Sequence, residues 1–123
     1  MEEEFNLVVS PEVGKKFVKE VENVLVALEK LLNLKTSAKI IITNREDIMG
    51  LYIPDENIIL ISEFGIKSFA EQENIPIHHT VLMNVLIHEI YHSVLKEENE
   101  EKIINLTDKA VEVLIEMYLK VIN

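Results

Sequence analysis

The C-terminal part of the chain, residues 77–123, contains neither glycine nor proline. These two residues are the strongest local breakers of regular structure, so long uninterrupted elements are expected here. The apolar spacing predicts one helix over about residues 77–96 and a second over about residues 106–121. Between them lies "KEENEEK", the most polar stretch of the chain. Asn105 or Thr107 is expected to cap the second helix.

The N-terminal half predicts a helix followed by strands. Apolar residues recur with a 3.6-residue period, which predicts an amphipathic helix over residues 11–33 with Ser10 as its N-cap. The β-branched run 40–43 predicts a buried strand, and residues 48–53 and 57–62, on either side of "PDEN", predict a β-hairpin. A short helix is expected within residues 66–73. The order predicts one α+β domain, residues 1–123, with a helix, three strands and then helices.

Composition excludes several classes of function. The formal net charge is −10, so the chain lacks the basic footprint that nucleic acids and anionic membranes attract. No apolar run approaches the ~20 residues of a membrane span, and the acidic N-terminus does not resemble a signal peptide. The chain has no cysteine, which removes disulfides and thiolate metal sites. We expect a soluble cytoplasmic protein, and the Ile, Lys and Glu bias is typical of thermophiles.

The sequence "HEIYH" lies within the first of the two C-terminal helices. Residues four apart share one helix face, so His88 and His92 can direct their imidazoles at one ion, and zinc is the ion that this motif binds. Glu89 is rotated by about 100° and lies beside the metal. There it can act as general base toward water that the metal activates.

The residues around the motif favour a metal site over a chance match. The flanking residues are apolar or uncharged, so two histidines and a glutamate facing inward would be buried without partners. Such groups are costly unless they pair or bind a metal. A purely structural domain with an accidental motif remains the alternative. His78 and His79 are expected at an exposed helix start.

A second motif carries a resemblance to a known family. "EVLIE" begins with Glu112, twenty residues after His92, and this arrangement resembles the thermolysin-type gluzincin peptidases. The resemblance implies that Glu112 is the third zinc ligand and that Glu116 supports His88 from the second shell. This chain has glutamate at the second position where the thermolysin type has aspartate. A solvated helix edge is the alternative for both glutamates.

The whole chain resembles the minigluzincins, small soluble relatives of the HtpX and CAAX-prenyl-protease families. The resemblance implies a zincin-like fold with a backing helix, a three-stranded sheet, the HExxH helix and a glutamate helix. It also implies that "GLYIPDENIILIS" frames the cleft, with residues 57–62 pairing with an extended substrate. An ordinary hairpin is the alternative.

These observations predict a zinc-dependent peptidase that acts on peptides or proteins, with Glu89 as general base and then proton donor. The chain is short, and little of it is left to build an oxyanion site. A latent, zymogen-like enzyme and a non-catalytic zinc scaffold that binds a partner therefore remain open.

The stretch between the last two helices also bears on assembly. It lacks glycine and proline and is rich in helix formers. A segment that can either turn or continue as a helix favours domain swapping. We therefore expect a homodimer formed by exchange of the C-terminal helix, with a monomer as the alternative because acidic hinges repel each other.

Overall fold

The computed structural model describes residues 5–76 and 78–122, with side chains described as far as residue 117. The order of elements confirms the α+β class. The elements are β1 (Leu7–Val9), α1 (Lys15–Leu32), β2 (Lys39–Thr43), β3 (Gly50–Ile53), β4 (Ile58–Ser62), α2 (Glu63–Gln72), α3 (His78–Leu95) and α4 (Glu100–Ile122).

The sheet is mixed and has the strand order β1-β2-β4-β3. β1 and β4 both run parallel to β2, and β3 is antiparallel to β4. The predicted hairpin is therefore confirmed, and its turn closes with the Asn57 N–H on the Pro54 carbonyl at 3.2 Å. β1 was not predicted because it has only three residues, and two of them, Val8 and Val9, are exposed.

The strand at this edge of the described sheet is β3, and not the strand that the sequence analysis expected to meet a substrate. β4 lies between β2 and β3, so the backbone of residues 58–62 is paired on both sides. The expectation that residues 57–62 pair with a substrate is therefore wrong. The free edge on this side belongs to β3, which contacts α3.

Helix α1 begins at Lys15, and its N-cap is Gly14 rather than Ser10. The Ser10 N–H instead donates to the Ile42 carbonyl at 2.9 Å, which extends the pairing of β1 with β2. The Glu63 carboxylate accepts the Gly14 N–H at 2.9 Å and so binds the start of α1 to α2. The buried face of α1 consists of Phe17, Val21, Val24, Leu25 and Leu28.

Helix α3 is the central element, and it packs against α1, α2, α4, β3 and β4. Its buried apolar residues join α1 and the sheet in one core. The helix ends at Leu95 because Lys96 takes a left-handed backbone conformation with φ of 54°. Among the helices of the described residues, none is both long and apolar enough to cross a membrane.

Helix α4 begins earlier than predicted, at Glu100. Asn99 caps it, with its side-chain oxygen accepting the Lys102 N–H at 3.3 Å. Asn105 and Thr107, the predicted caps, lie inside the helix, and the Thr107 hydroxyl donates to the Ile103 carbonyl at 2.7 Å. The sequence pattern missed the first turn because residues 100–102 are all charged and exposed, and Ile103 is the one buried residue of that turn.

In the described chain, α4 packs on the α3 of the same molecule. The reversal is made by Lys96 in the left-handed region and by the Asn99 cap, without glycine or proline. The swapped homodimer stays a prediction. Light scattering tests it: a dimer should become monomeric when Glu100→Gly creates the turn-forming pair Asn-Gly at residues 99 and 100.

Candidate metal centre

Helix α3 brings the two motif histidines together near its C-terminal end. The ring centroids of His88 and His92 are 4.9 Å apart, with the ring planes at 71°. This is the geometry expected from a four-residue spacing on one helix face. His92 is buried and His88 is partly exposed, so the pair reaches solvent at one side only.

Glu100, the first residue of α4, completes a group of three possible ligands. Its carboxylate oxygens lie 2.9 Å from His88 Nε2 and 2.9 Å from His92 Nε2. Within the described residues, these three side chains have ligand atoms that all lie within 4.8 Å of one another. The structure therefore brings together His88, His92 and Glu100.

Glu112 and Glu116 do not join this group, and both are exposed on α4. Glu112 follows Glu100 by twelve residues, which is about 18 Å along a helix that rises about 1.5 Å per residue. The face of α4 that is buried carries Ile103, Thr107, Ala110 and Leu114. Glu112 stands on a different face, toward solvent.

The second ring nitrogen of His92 has a fixed partner. His92 Nδ1 lies 2.6 Å from the Glu97 backbone carbonyl, which can only accept a hydrogen bond. Nδ1 must therefore carry a proton, and a neutral ring then presents a lone pair at Nε2. Histidines that bind metals are commonly oriented in this way by a backbone carbonyl.

This arrangement fits a metal cation. With Nδ1 protonated, the Nε2 lone pair of neutral His92 faces the Glu100 carboxylate, which also has only lone pairs to offer. A second ring proton or a cation between the two groups removes this conflict. Tetrahedral zinc with bonds of about 2.0–2.1 Å needs ligand atoms roughly 3.3 Å apart. To hold one ion, the two oxygen–nitrogen distances of 2.9 Å would have to lengthen, and all three ligand atoms, which lie within 4.8 Å of one another, would have to adjust to a common distance from the ion.

Glu89 lies next to this group and is 8% exposed. Burial raises the pKa of its carboxyl from 4.5 to about 7. This net value includes three smaller contributions: His92 and the Tyr52 backbone N–H lower the pKa, and Glu100 raises it. A carboxyl with a pKa near 7 can both accept and donate a proton at neutral pH.

Gly50 brings the edge strand β3 close to Glu89. A Cβ at Gly50 would lie 2.5 Å from Val85 Cγ1 and 3.2 Å from Glu89 Cγ. A side chain at this point would therefore press on the side chains of α3 where the strand passes that helix. Gly50 and Glu89 both line the cleft at this point.

A cleft of about 490 Å³ opens over the site. It is lined by Gly50, Leu51, Tyr52, Pro54, His88, Glu89, His92, Glu98 and Glu100. One wall is thus the edge strand β3, the floor is α3, and the remaining side is the turn into α4. The edge of β3 runs along the cleft in an extended conformation.

His78 and His79 occupy the first turn of α3, about 15 Å from His88 by helix rise. His78 Nε2 lies 2.9 Å from a carboxylate oxygen of Glu20, so it is half-buried against α1 rather than simply exposed.

Sequence reasoning missed Glu100 because it started the last helix too late. The sequence does contain a helix-start signal at this point, because Asn99 is followed by two glutamates, as is typical of a helix N-terminus.

Comparison with known proteins identifies no relative of this chain. No family model, no curated protein and no solved structure matches the chain. The interpretation of the site therefore depends on its own geometry.

Proposed function

We propose that this protein is a zinc-dependent peptidase in which His88, His92 and Glu100 hold the metal and Glu89 moves the protons. One observation carries the proposal: three convergent ligand atoms lie beside a buried carboxyl at the floor of an open cleft. The donor set of two imidazoles and one carboxylate is one that catalytic zinc sites use, with a further position left for water or substrate.

Zinc, when bound, supplies Lewis acidity that lowers the pKa of water and polarises a peptide carbonyl. The chain's own residues supply the proton transfers. Glu89 takes a proton from the attacking water and then delivers it to the leaving amine. In the metal-free protein the pKa of Glu89 is about 7, and a zinc ion beside it would favour the ionised carboxylate, which is the form that accepts a proton from water.

The edge strand supports a peptide as the substrate class. β3 has one side paired with β4, and its other side borders the cleft. Backbone groups on such an edge can pair with an extended chain and so add it as one more strand. A peptide bound there would pass directly over Glu89 and the histidines.

The proposal is tested by the substitution Glu89→Gln on zinc-loaded protein. We expect the variant to keep its zinc and to lose about 10²–10⁴ in rate, the usual contribution of a general base. Glu116→Gln, an exposed change on α4, is the matched control and should hydrolyse peptides as the wild type does. A Glu89→Gln variant that hydrolyses at the wild-type rate would contradict the assignment.

A latent enzyme or a non-catalytic zinc scaffold is the second candidate. The observation in its favour is that both Glu100 oxygens face the histidines while Glu98 also lines the cleft. This turn crowds the position that a substrate would take. Peptidase assays of zinc-loaded protein before and after limited proteolysis separate the cases. Activity that appears only after cleavage supports latency, and persistent inactivity in a protein that binds zinc supports the scaffold.

Metal analysis separates both candidates from a purely structural domain. Protein purified without added zinc, and then reconstituted, should hold close to one zinc per chain. A content near zero after reconstitution would remove every metal-dependent function.

A further inference from the structure

We infer that Tyr52 and Lys96 are positioning residues that hold the turn between α3 and α4, so that Glu97 and Glu100 meet the histidines. The inference depends on the metal site of the proposed function, but not on peptidase activity. It is carried by a series of side-chain contacts that runs from the β-hairpin across the cleft to this turn.

Lys96 is the hinge of the turn. It has φ of 54°, a left-handed conformation that residues with a Cβ rarely adopt. Its ammonium Nζ donates to the Tyr52 hydroxyl at 3.0 Å and lies 5.6 Å from the centroid of the same ring. This hydrogen bond, made beyond the hydroxyl edge of the ring, holds the residue at which the chain leaves α3.

Tyr52 is itself held from the sheet side. Its hydroxyl donates to Asn57 Oδ1 at 3.0 Å, which leaves the oxygen lone pairs free to accept from Lys96. The Asn57 amide in turn donates to Ser37 Oγ at 3.3 Å. Asn57 occupies the hairpin turn with φ of 54°. The hydroxyl is thus oriented by the turn of the β-hairpin.

On the other side of the turn lie the groups that act on the metal site. The Glu97 carbonyl accepts from His92 Nδ1, and the Glu97 carboxylate accepts the Asn99 N–H at 3.0 Å. Asn99 caps α4 and so fixes where Glu100 begins the helix. A shift at Lys96 would therefore move both the partner of His92 and the carboxylate ligand.

If Tyr52 and Lys96 act as positioning residues, their substitution should lower the affinity for zinc without a comparable fall in the free energy of unfolding. Lys96 is exposed, and exposed polar contacts contribute little to folding. Partners that orient metal ligands are different, because their loss typically reduces metal affinity by about 10–100-fold.

The experiment measures zinc affinity by competition with a chromophoric chelator for the wild type, Tyr52→Phe, Lys96→Met and the double variant. We expect each single change to weaken zinc binding by about 10-fold, the low end of the range for partners of metal ligands, because neither residue contacts a ligand directly. The double variant should be no weaker than the worse single one, because both changes break the Lys96–Tyr52 hydrogen bond. The visible spectrum of the cobalt-substituted protein should change in the same variants. Lys109→Met, at another exposed lysine of α4, is the control and should bind as the wild type does.

Two results would overturn the inference while leaving the metal site intact. One is wild-type zinc affinity and an unchanged cobalt spectrum in both single variants. The other is a Tyr52→Phe variant that loses kcat while its affinity and spectrum stay unchanged, which would make Tyr52 a catalytic residue. If the wild type binds zinc but cleaves no peptide, the affinity measurements still test the inference. If the wild type binds no zinc, the proposed function and this inference are both wrong.

Discussion

Two positions on helix α4 carry acidic residues with different surroundings. At the first turn, the Glu100 carboxylate lies 2.9 Å from both motif histidines. Three turns later, Glu112 is exposed to solvent, and the helix face beside it is buried at Ala110 and Leu114. Both residues are glutamates on the same helix, so their difference comes from position alone.

The comparison shows that the start of a helix can decide which residue reaches a site. A helix beginning at residue 106 would leave residue 100 in a loop and make Glu112 the nearest helical glutamate to the histidines. The Asn99 cap instead starts the helix at Glu100 and places that carboxylate directly after the turn. The resemblance to gluzincins implies Glu112, whereas the geometry implies Glu100.

The largest expected effect separates these two glutamates. Glu100→Gln should weaken zinc binding by at least about 100-fold, more than is usual for loss of a residue that only orients a ligand. Glu112→Gln should change it by less than about 3-fold, as expected of an exposed residue away from the metal. Chelator competition measures both, with Glu101→Gln as the control for charge near Glu100. The reverse order of effects would establish Glu112 as the ligand.

The second prediction contrasts buried Glu89 with exposed Glu112 in the metal-free protein. The raised pKa of Glu89 means that folding favours its protonated form. Its contribution to stability is therefore fully present below pH 4.5 and is lost as pH rises through about 7. The Glu89→Gln variant should not show this loss of stability. The free energy of unfolding of the variant, relative to that of the wild type, should therefore be higher above pH 8 than at pH 4, by up to about 3 kcal/mol.

Urea denaturation of wild type and variant at the two pH values measures this difference. Glu112→Gln should shift the free energy of unfolding by no more than about 0.5 kcal/mol at either pH, as usual for exposed sites. A Glu89→Gln effect that is the same at both pH values would show that Glu89 is not held in its protonated form.

The third prediction contrasts two glycines. Gly50→Ala should cost about 1–3 kcal/mol, the range for overpacking, because the new Cβ would press on Val85 and Glu89. Gly14→Ala should cost less, since its Cβ would come no closer than 3.5 Å to Glu63. Thermal or urea unfolding measures both. Equal costs would mean that β3 does not approach α3 as closely as described.

The smallest expected effect concerns where α4 begins. Asn99→Ala removes the side-chain cap and should cost about 1 kcal/mol. Asn105→Ala changes an exposed residue inside the helix and should stay within about 0.5 kcal/mol. Urea unfolding of the two variants decides between them. A larger cost at residue 105 would place the helix start where the sequence pattern first indicated it.

Much of the fold was predictable from local patterns. The apolar period of α1, the β-branched run of β2 and the hairpin all appear where the sequence indicates, because burial imposes those periods directly. The strand order was not predictable in this way, since β4 is apolar on both faces and pairing partners lie far apart in the chain. β1 is too short and too exposed to carry a periodic signal.

The candidate site was predictable only in part. His88, Glu89 and His92 follow from a motif on one helix, where spacing fixes geometry. Glu100 does not, because its position depends on a left-handed Lys96 and an Asn99 cap within a stretch of helix-forming residues. The Glu97 carbonyl that faces His92 is a backbone group, which no side-chain pattern reveals.

The most direct test of the account is a crystal structure of the zinc-loaded protein with anomalous data collected at the zinc edge. We expect one peak about 2.0–2.2 Å from His88 Nε2, His92 Nε2 and a Glu100 carboxylate oxygen, with the Glu97 carbonyl still on His92 Nδ1. A zinc ion held by the histidines and Glu112, or an anomalous map without a peak at the histidines, would contradict it.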